Sequence, residues 1–238
     1  MKISYLVTCH NEVTTLYNLL TKICHSLNFH DESKKSVDDE IIILDDYSDD
    51  KRTQAIISMG QSSFSKVIKT TQHNLNNDYG AHKNYGNQQC KGDFIFQIDG
   101  DEMPPDSLLG ENLHNLIESN SDTELYYVPR INDFKGVTEE HAKQWGWTLT
   151  PSPLLNGRPK AVWPDLQGRI YKNVPDRIKW ENKLHERIVG NKTWAVLPIE
   201  EDWAIHHNKT IETQIATNLR YNRDFSEAEN KGISNKRA

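Results

Sequence analysis

Hydrophobic positions fall into two alternating periods along the first half of the chain. Residues 3–8 are a short apolar run with β-branched side chains, the pattern of a buried strand. The polar stretch Cys9-His10-Asn11-Glu12 follows. Leu16, Leu19, Leu20, Ile23 and Leu27 then recur at helical spacing and predict a helix with one face on a sheet. Residues 30–40 read as a charged loop. Residues 40–44 form a second apolar run that ends in Asp45-Asp46-Tyr47-Ser48-Asp49-Asp50, with a short helix predicted around 52–59 and a third strand at 66–69. Residues 80–91 read as a helix and 94–98 as a strand ending in Asp99-Gly100-Asp101-Glu102. Pro104-Pro105-Asp106 opens a helix carrying Leu109, Leu113, Leu116 and Ile117 on one face, and a further strand is predicted at 125–128.

Strands alternating with helices over the first 130 residues call for an α/β fold with a mostly parallel central sheet flanked by helices. Ligands in such sheets bind beyond the carboxyl ends of the strands. The polar clusters at 8–12, 45–50 and 99–102 each follow a strand directly, so they are expected to converge on one edge. The back half is less regular, with strand-like pieces at 169–171 and 194–197 and a helix from 210 to about 229. The tail from Gly232 is expected to fray. One continuous domain with a front half, 1–130, and a back half, 131–238, is the predicted organisation; there is no internal repeat and no low-complexity linker.

Composition narrows the function. The chain has 238 residues, 9% of them aromatic, which argues against disorder despite a mean hydropathy of −0.75. No apolar run approaches the roughly 18 residues of a membrane span, and the N-terminus reads as a first strand rather than a signal peptide. A net charge of −6 argues against a duplex nucleic-acid partner. Cys9, Cys24 and Cys90 are odd in number and lack C-x-x-C spacing, which points to a reduced compartment and so to the cytoplasm. Residues 31–50 hold nine acids against two lysines, and all six tryptophans lie between Trp145 and Trp203. Carboxylates thus collect in the front half and large aromatic surfaces in the back half.

Asp99-Gly100-Asp101 places two hard oxygen donors at a strand end, suited to Mg²⁺ or Mn²⁺ shared with phosphates. With V-T-C-H-N-E after the first strand, I-I-I-L-D-D-Y-S-D-D after the second, G-A-H-K-N-Y-G-N-Q-Q-C-K-G-D-F-I-F-Q-I-D-G-D-E and P-D-S-L, the chain resembles a family 2 glycosyltransferase of the GT-A fold. W-P-D-L-Q-G-R-I-Y-K-N, W-E-N-K-L-H-E-R-I and I-H-H-N-K-T are similar to one branch of that family, which carries D-x-D-E and a later His-Glu and acts in bacterial or phage surface-glycan synthesis.

The resemblance implies a nucleoside-diphosphate sugar donor, UDP favoured, and a glycan or other hydroxyl acceptor. Thr8 and His10 would line the base and ribose pocket, and Asp46, with Asp45 the alternative, would accept from a uracil-like base. Tyr47 stands where the family usually has glycine. Lys83 occupies a position commonly arginine and would face the nucleotide. Asp99 would touch the ribose or the metal, Asp101 would hold the metal, and His207 or His206 would join it. Glu186, or Asp165, is the candidate base that takes the acceptor proton; His185-Glu186 is not a zinc-protease motif, since position 189 is Val189. Trp145 and Trp147 are candidates for an acceptor platform, and Arg158, Gln167 and Arg169 for polar contacts to donor or acceptor. The alternatives are a nucleotidyltransferase acting on sugar phosphates, disfavoured by the lack of glycine in 8–12, and a non-catalytic sugar-binding module. Oligomeric state and a place at the cytoplasmic membrane surface stay open.

Overall fold

A computed structural model describes residues 1–27, 38–63 and 67–230. The expected loop at 30–40 therefore lies largely outside the described residues, as do Lys66 at the start of the third strand and the tail from Gly232. The front half runs β1 (Ile3–Cys9), α1 (Thr14–Ser26), β2 (Glu40–Asp45), α2 (Lys51–Ser63), β3 (Ile68–Gln72), α3 (Tyr79–Gln89), β4 (Phe94–Asp99) and β5 (Glu102–Met103). A 3-10 turn at Asp106–Leu108 precedes α4 (Gly110–Glu118), so the helix expected from Pro104 is broken where Leu109 turns extended and Gly110 takes a φ of 54°. Then follow β6 (Leu125–Lys135), α5 (Glu139–Trp145), β7 (Leu149–Pro151), β8 (Pro159–Lys172), β9 (Lys179–Glu181), β10 (Arg187–Val189), β11 (Trp194–Val196), β12 (Ile205–Thr210), α6 (Ile211–Asp224) and α7 (Glu227–Asn230).

The main sheet has the order β3-β2-β1-β4-β8-β6-β12-β5. Its first four strands are parallel; β8 inserts antiparallel between β4 and β6, and β12 runs parallel to β6. The result is a mixed, mostly parallel sheet flanked by helices. β2 is buried at every position, which is why it shows no alternation. Leu19 and Ile23 of α1, Ile57 of α2 and Leu113 and Ile117 of α4 pack with Tyr5, Val7, Ile43 and Phe96 on one face. The other face packs Leu6, Ile42 and Ile95 against Trp180 and Ile188 of the β9–β10 hairpin. Burial on this scale contributes about 25 cal/mol per Å² of apolar surface.

Two differences from the sequence pattern matter for function. The strand predicted at 125–128 runs to Lys135, and 205–210, read as a lead into a helix, is a strand of the central sheet. Both stretches are too polar to show strand periodicity. Both are nonetheless held by a six-residue parallel ladder from Ile205 opposite Arg130 to Thr210 opposite Lys135. Among the described residues no helix is long and apolar enough to cross a membrane.

Candidate functional site

Register brings the three polar clusters together. Thr8 lies opposite both Leu44 and Asp99, and Cys9 opposite Asp45, so β1, β2 and β4 end level with one another. The chain then turns sharply: Gly100 N donates to Thr8 O at 2.8 Å, and a side chain at Gly100 would stand 3.1 Å from that oxygen. Glycine lets the Asp99–Asp101 turn lie this close to β1; a larger residue would need the strand or the turn to give by a few tenths of an ångström.

The two neighbouring aspartates of β2 behave differently. Asp45 is buried, and its carboxylate accepts from Ser48 N at 3.0 Å and Gln72 Nε2 at 2.9 Å, which ties up the turn. Asp46 points outward and accepts from Leu75 N at 2.8 Å through Oδ1. Its backbone oxygen takes a hydrogen bond from His10 Nδ1 at 2.7 Å, so an exposed imidazole is fixed beside it. Tyr47 adopts a φ of 46°, the left-handed backbone that suits the glycine usual there, and its ring is exposed. Behind this pocket His82 is buried on α3, within 3.3 Å of His73 Nδ1; burial lowers its pKa to about 4 and leaves it neutral.

Asp99 is enclosed by donors. Thr8 Oγ1 and Gln97 Nε2 each donate to Oδ1 at 2.8 Å, Lys83 Nζ lies 3.3 Å from Oδ1, and Arg169 Nη2 donates to Oδ2 at 2.9 Å. Burial alone would raise its pKa; Arg169 and then Lys83 outweigh it and hold the carboxyl well below the usual range. Arg169 also donates to Glu102 Oε1 at 2.6 Å, and Glu102 accepts from Asp99 N and Arg130. Arg130 in turn grips Asp165, whose Oδ1 accepts from Gln167 at 2.6 Å. Buried Arg169 and Asp165, with half-buried Gln167, thus form a framework beneath the D-x-D turn. Asp165, with its pKa held near 2 mainly by Arg130 against burial, is bound up in ion pairing and does not resemble a free base. Arg158 pairs with Asp133.

Asp101 and His207 meet from positions 106 residues apart: His207 Nε2 lies 3.3 Å from Asp101 Oδ2. Neighbouring strand residues face opposite ways, so His206 turns to the other side of β12. The orientation of the His207 ring follows from its surroundings. Asn132 Nδ2 donates to Asp165 Oδ2 at 3.0 Å, which aims Asn132 Oδ1 at His207 Nδ1, 2.8 Å away. Asn132 Oδ1 thus orients the imidazole and holds its Nε2 toward the Asp101 carboxylate. Among the described residues no three His, Cys, Asp or Glu side chains converge on one point. Asp101 and His207 fit a Mg²⁺ or Mn²⁺ ion that takes its remaining ligands from phosphate oxygens and water.

Across the edge stands Glu186, in the segment between β9 and β10. Lys83 Nζ donates to its Oε1 at 2.7 Å and lies 4.7 Å from the centre of the Trp180 ring. Lys83, expected to face the nucleotide, is buried and bridges Glu186 and Asp99. Asn84 exchanges two hydrogen bonds with the Trp180 backbone, and Tyr79 N donates to Lys183 O at 2.9 Å, so α3 carries this segment. Gly80 allows the approach: a Cβ there would lie 2.6 Å from Asn182 O. Trp145 and Trp147 are in contact at 4.7 Å between ring centres; Trp147 touches Phe134, and Phe134 meets His207 edge-on at 5.9 Å. The pair therefore adjoins the Asp101–His207 corner. Trp180 is core, and Trp194 is exposed on β11.

Sequence reasoning missed Glu12, Asn132 and Lys209. Glu12 Oε2 accepts from His10 N beside Gly100, and burial, with Asp101 adding to it, raises its carboxyl to about 7. The polar cluster at 8–12 was the available signal for Glu12. Nothing local marks Asn132 or Lys209, which reach the site only through the β6–β12 pairing.

The sequence matches the glycosyl transferase family 2 description over residues 4–178. No curated protein matches it. Among solved structures, it is similar to S. aureus TarS 1-349 in complex with UDP-GlcNAc, with 18% identity and a TM-score of 0.53, over 88% of this chain and 59% of that one. S. aureus TarS itself matches at 19% identity and a TM-score of 0.53, over 97% of this chain and 41% of that one. TarS 1-349 in complex with UDP matches at 18% identity and a TM-score of 0.50, over 97% and 68%. The chain thus spans well under two thirds of the TarS chain in the first two. These likenesses speak to fold, which is of the GT-A type.

Proposed function

The chain belongs to glycosyl transferase family 2, and from that premise we propose that it moves a sugar, with inversion, from a nucleoside-diphosphate sugar to an acceptor hydroxyl in glycan synthesis. The observation that carries the reading is the meeting of Asp101 and His207 at the carboxyl edge of the sheet, with Nε2 of His207 3.3 Å from Asp101 Oδ2. UDP is the favoured nucleotide: Asp46, with His10 held beside it, would accept from an imide N–H, and TarS binds UDP and UDP-GlcNAc.

Asp101 and His207 would hold Mn²⁺ or Mg²⁺, whose positive charge makes the diphosphate a better leaving group. The chain's own residues do the rest. Thr8, His10 and Asp46 orient the nucleoside. Asp99, with Arg169 and Glu102, keeps the D-x-D turn rigid, so Asp101 spends little entropy on reaching its ligand. Glu186, held in place by the hydrogen bond from Lys83, takes the proton of the acceptor hydroxyl. The acceptor oxygen bonds to the anomeric carbon as the bond from that carbon to the diphosphate oxygen breaks, and the nucleoside diphosphate leaves with the electron pair. Trp145 and Trp147 offer the acceptor a flat apolar surface.

The test is turnover on a panel of nucleotide sugars with Mn²⁺, read as released nucleoside diphosphate, with and without oligosaccharide acceptors. Release stimulated by an acceptor is the expected result. No release from any donor, together with pyrophosphate formation from UTP and a sugar phosphate, would replace this reading with nucleotidyl transfer.

A further inference from the structure

Lys209 has no role in the account so far, yet it touches the central carboxylate. Its Nζ lies 3.1 Å from Asp101 Oδ2, the same oxygen that faces His207 Nε2 at 3.3 Å. Lys209 stands two residues beyond His207 on β12 and so shares its side of the strand. Its side chain is 22% exposed, which leaves the flexible stem a way out toward solvent.

We propose that Lys209 is a resident cation: its ammonium fills the place beside Asp101 in the nucleotide-free protein and makes binding of a divalent metal depend on the nucleotide. His207 Nε2 and Lys209 Nζ both converge on the one oxygen, Asp101 Oδ2. Lys209 thus sets a positive charge on the oxygen that would bind a divalent ion. A divalent ion on Oδ2 and an ammonium within hydrogen-bonding distance of that oxygen repel one another, so metal alone must first expel Lys209. A nucleoside diphosphate changes the balance. It brings several negative charges, gives the displaced ammonium a new anionic partner, and supplies oxygens to complete the metal's coordination. The order that follows is weak metal binding to the free protein and strong binding of metal and diphosphate together.

This inference rests on the metal reading of Asp101 and His207, and the experiment separates the two. Free Mn²⁺ is followed by electron paramagnetic resonance during titration of wild type, Lys209→Met and Asp101→Asn, each with and without UDP. Lys209→Met should bind Mn²⁺ alone about tenfold or more tightly than wild type, and UDP should strengthen Mn²⁺ binding less in the variant than in wild type. If Lys209→Met fails to fold, Lys209→Gln, which keeps a polar tip, should show the same gain. If wild type binds Mn²⁺ with UDP but neither lysine variant binds Mn²⁺ alone more tightly, the resident-cation role is overturned and the metal site stands. If wild type fails to bind Mn²⁺ even with UDP, or Asp101→Asn binds it as well, the metal reading and this inference both fall.

Discussion

At the amino end of the sheet, Asp39 accepts from Ile3 N at 2.8 Å and pairs with His114 Nε2 at 2.9 Å, while Glu40 accepts from Ser4 Oγ, Lys91 N and Lys69 Nζ. At the carboxyl end, both contacts of Asp101 use the single oxygen Oδ2, and Asp46 and Glu186 face the open edge. Both ends bury carboxylates, and both hold them with cations. The difference is completion: Asp39 and Glu40 are 0% and 3% exposed at their side chains and engaged on every oxygen, whereas Asp101 is 25% exposed. A buried acid with a full set of partners is structure; one that keeps an open side is a place for a ligand.

That contrast is open to attack by mutation. The largest effect is expected from Glu186→Gln, which removes proton acceptance while keeping shape: turnover should fall about 10²- to 10⁴-fold, with nucleotide affinity unchanged by calorimetry. Undiminished turnover would remove Glu186 from the base role. Next, Asn132→Leu deletes the side chain that orients the His207 ring and should weaken Mn²⁺ binding about 10- to 100-fold, measured in the presence of UDP. The amino end should answer in the other way. Glu40→Gln should cost about 2 kcal/mol of stability at pH 7 by urea unfolding and leave UDP binding as it was.

The pH dependence sharpens the same point. Burial raises the Glu40 pKa, but Lys69, Lys91 N, Ser4 and Lys2 more than reverse this and bring it from 4.5 to about 2. Its folded value lies below its unfolded one, so its stabilisation is complete above about pH 4.5 and lost as the pH falls toward 2. The stability gap between wild type and Glu40→Gln should therefore narrow between pH 5 and pH 3. A constant gap would show that packing, not charge, sets the cost.

Much of the front half was legible because burial on both faces writes itself as unbroken apolar runs, as in β1 and β2. Strand ends then placed Asp46, Asp99 and Asp101 on one edge without any coordinates. The doublet at His206 and His207 was visible, but choosing between them needed the strand alternation of β12, which its polar sequence conceals. The burial of Lys83 was hidden for a related reason: α3 buries His82, Lys83 and Asn87, so it has no apolar stripe from which to read its inner face. In the sequence, Arg169 and Gln167 read only as candidates for polar contacts to donor or acceptor. The burial of Arg169 and the half-buried place of Gln167 follow from the insertion of β8 between β4 and β6, a long-range pairing that no local period encodes.

The central claim is that the carboxyl edge binds a nucleoside diphosphate through a metal on Asp101. Calorimetric titration of UDP into wild type and Asp101→Ala, with and without Mn²⁺, tests it most directly. The account predicts that Mn²⁺ strengthens UDP binding to wild type about tenfold or more and does nothing for Asp101→Ala, while both proteins unfold at the same temperature. Equal enhancement by Mn²⁺ in the two proteins, or none in wild type, would contradict it.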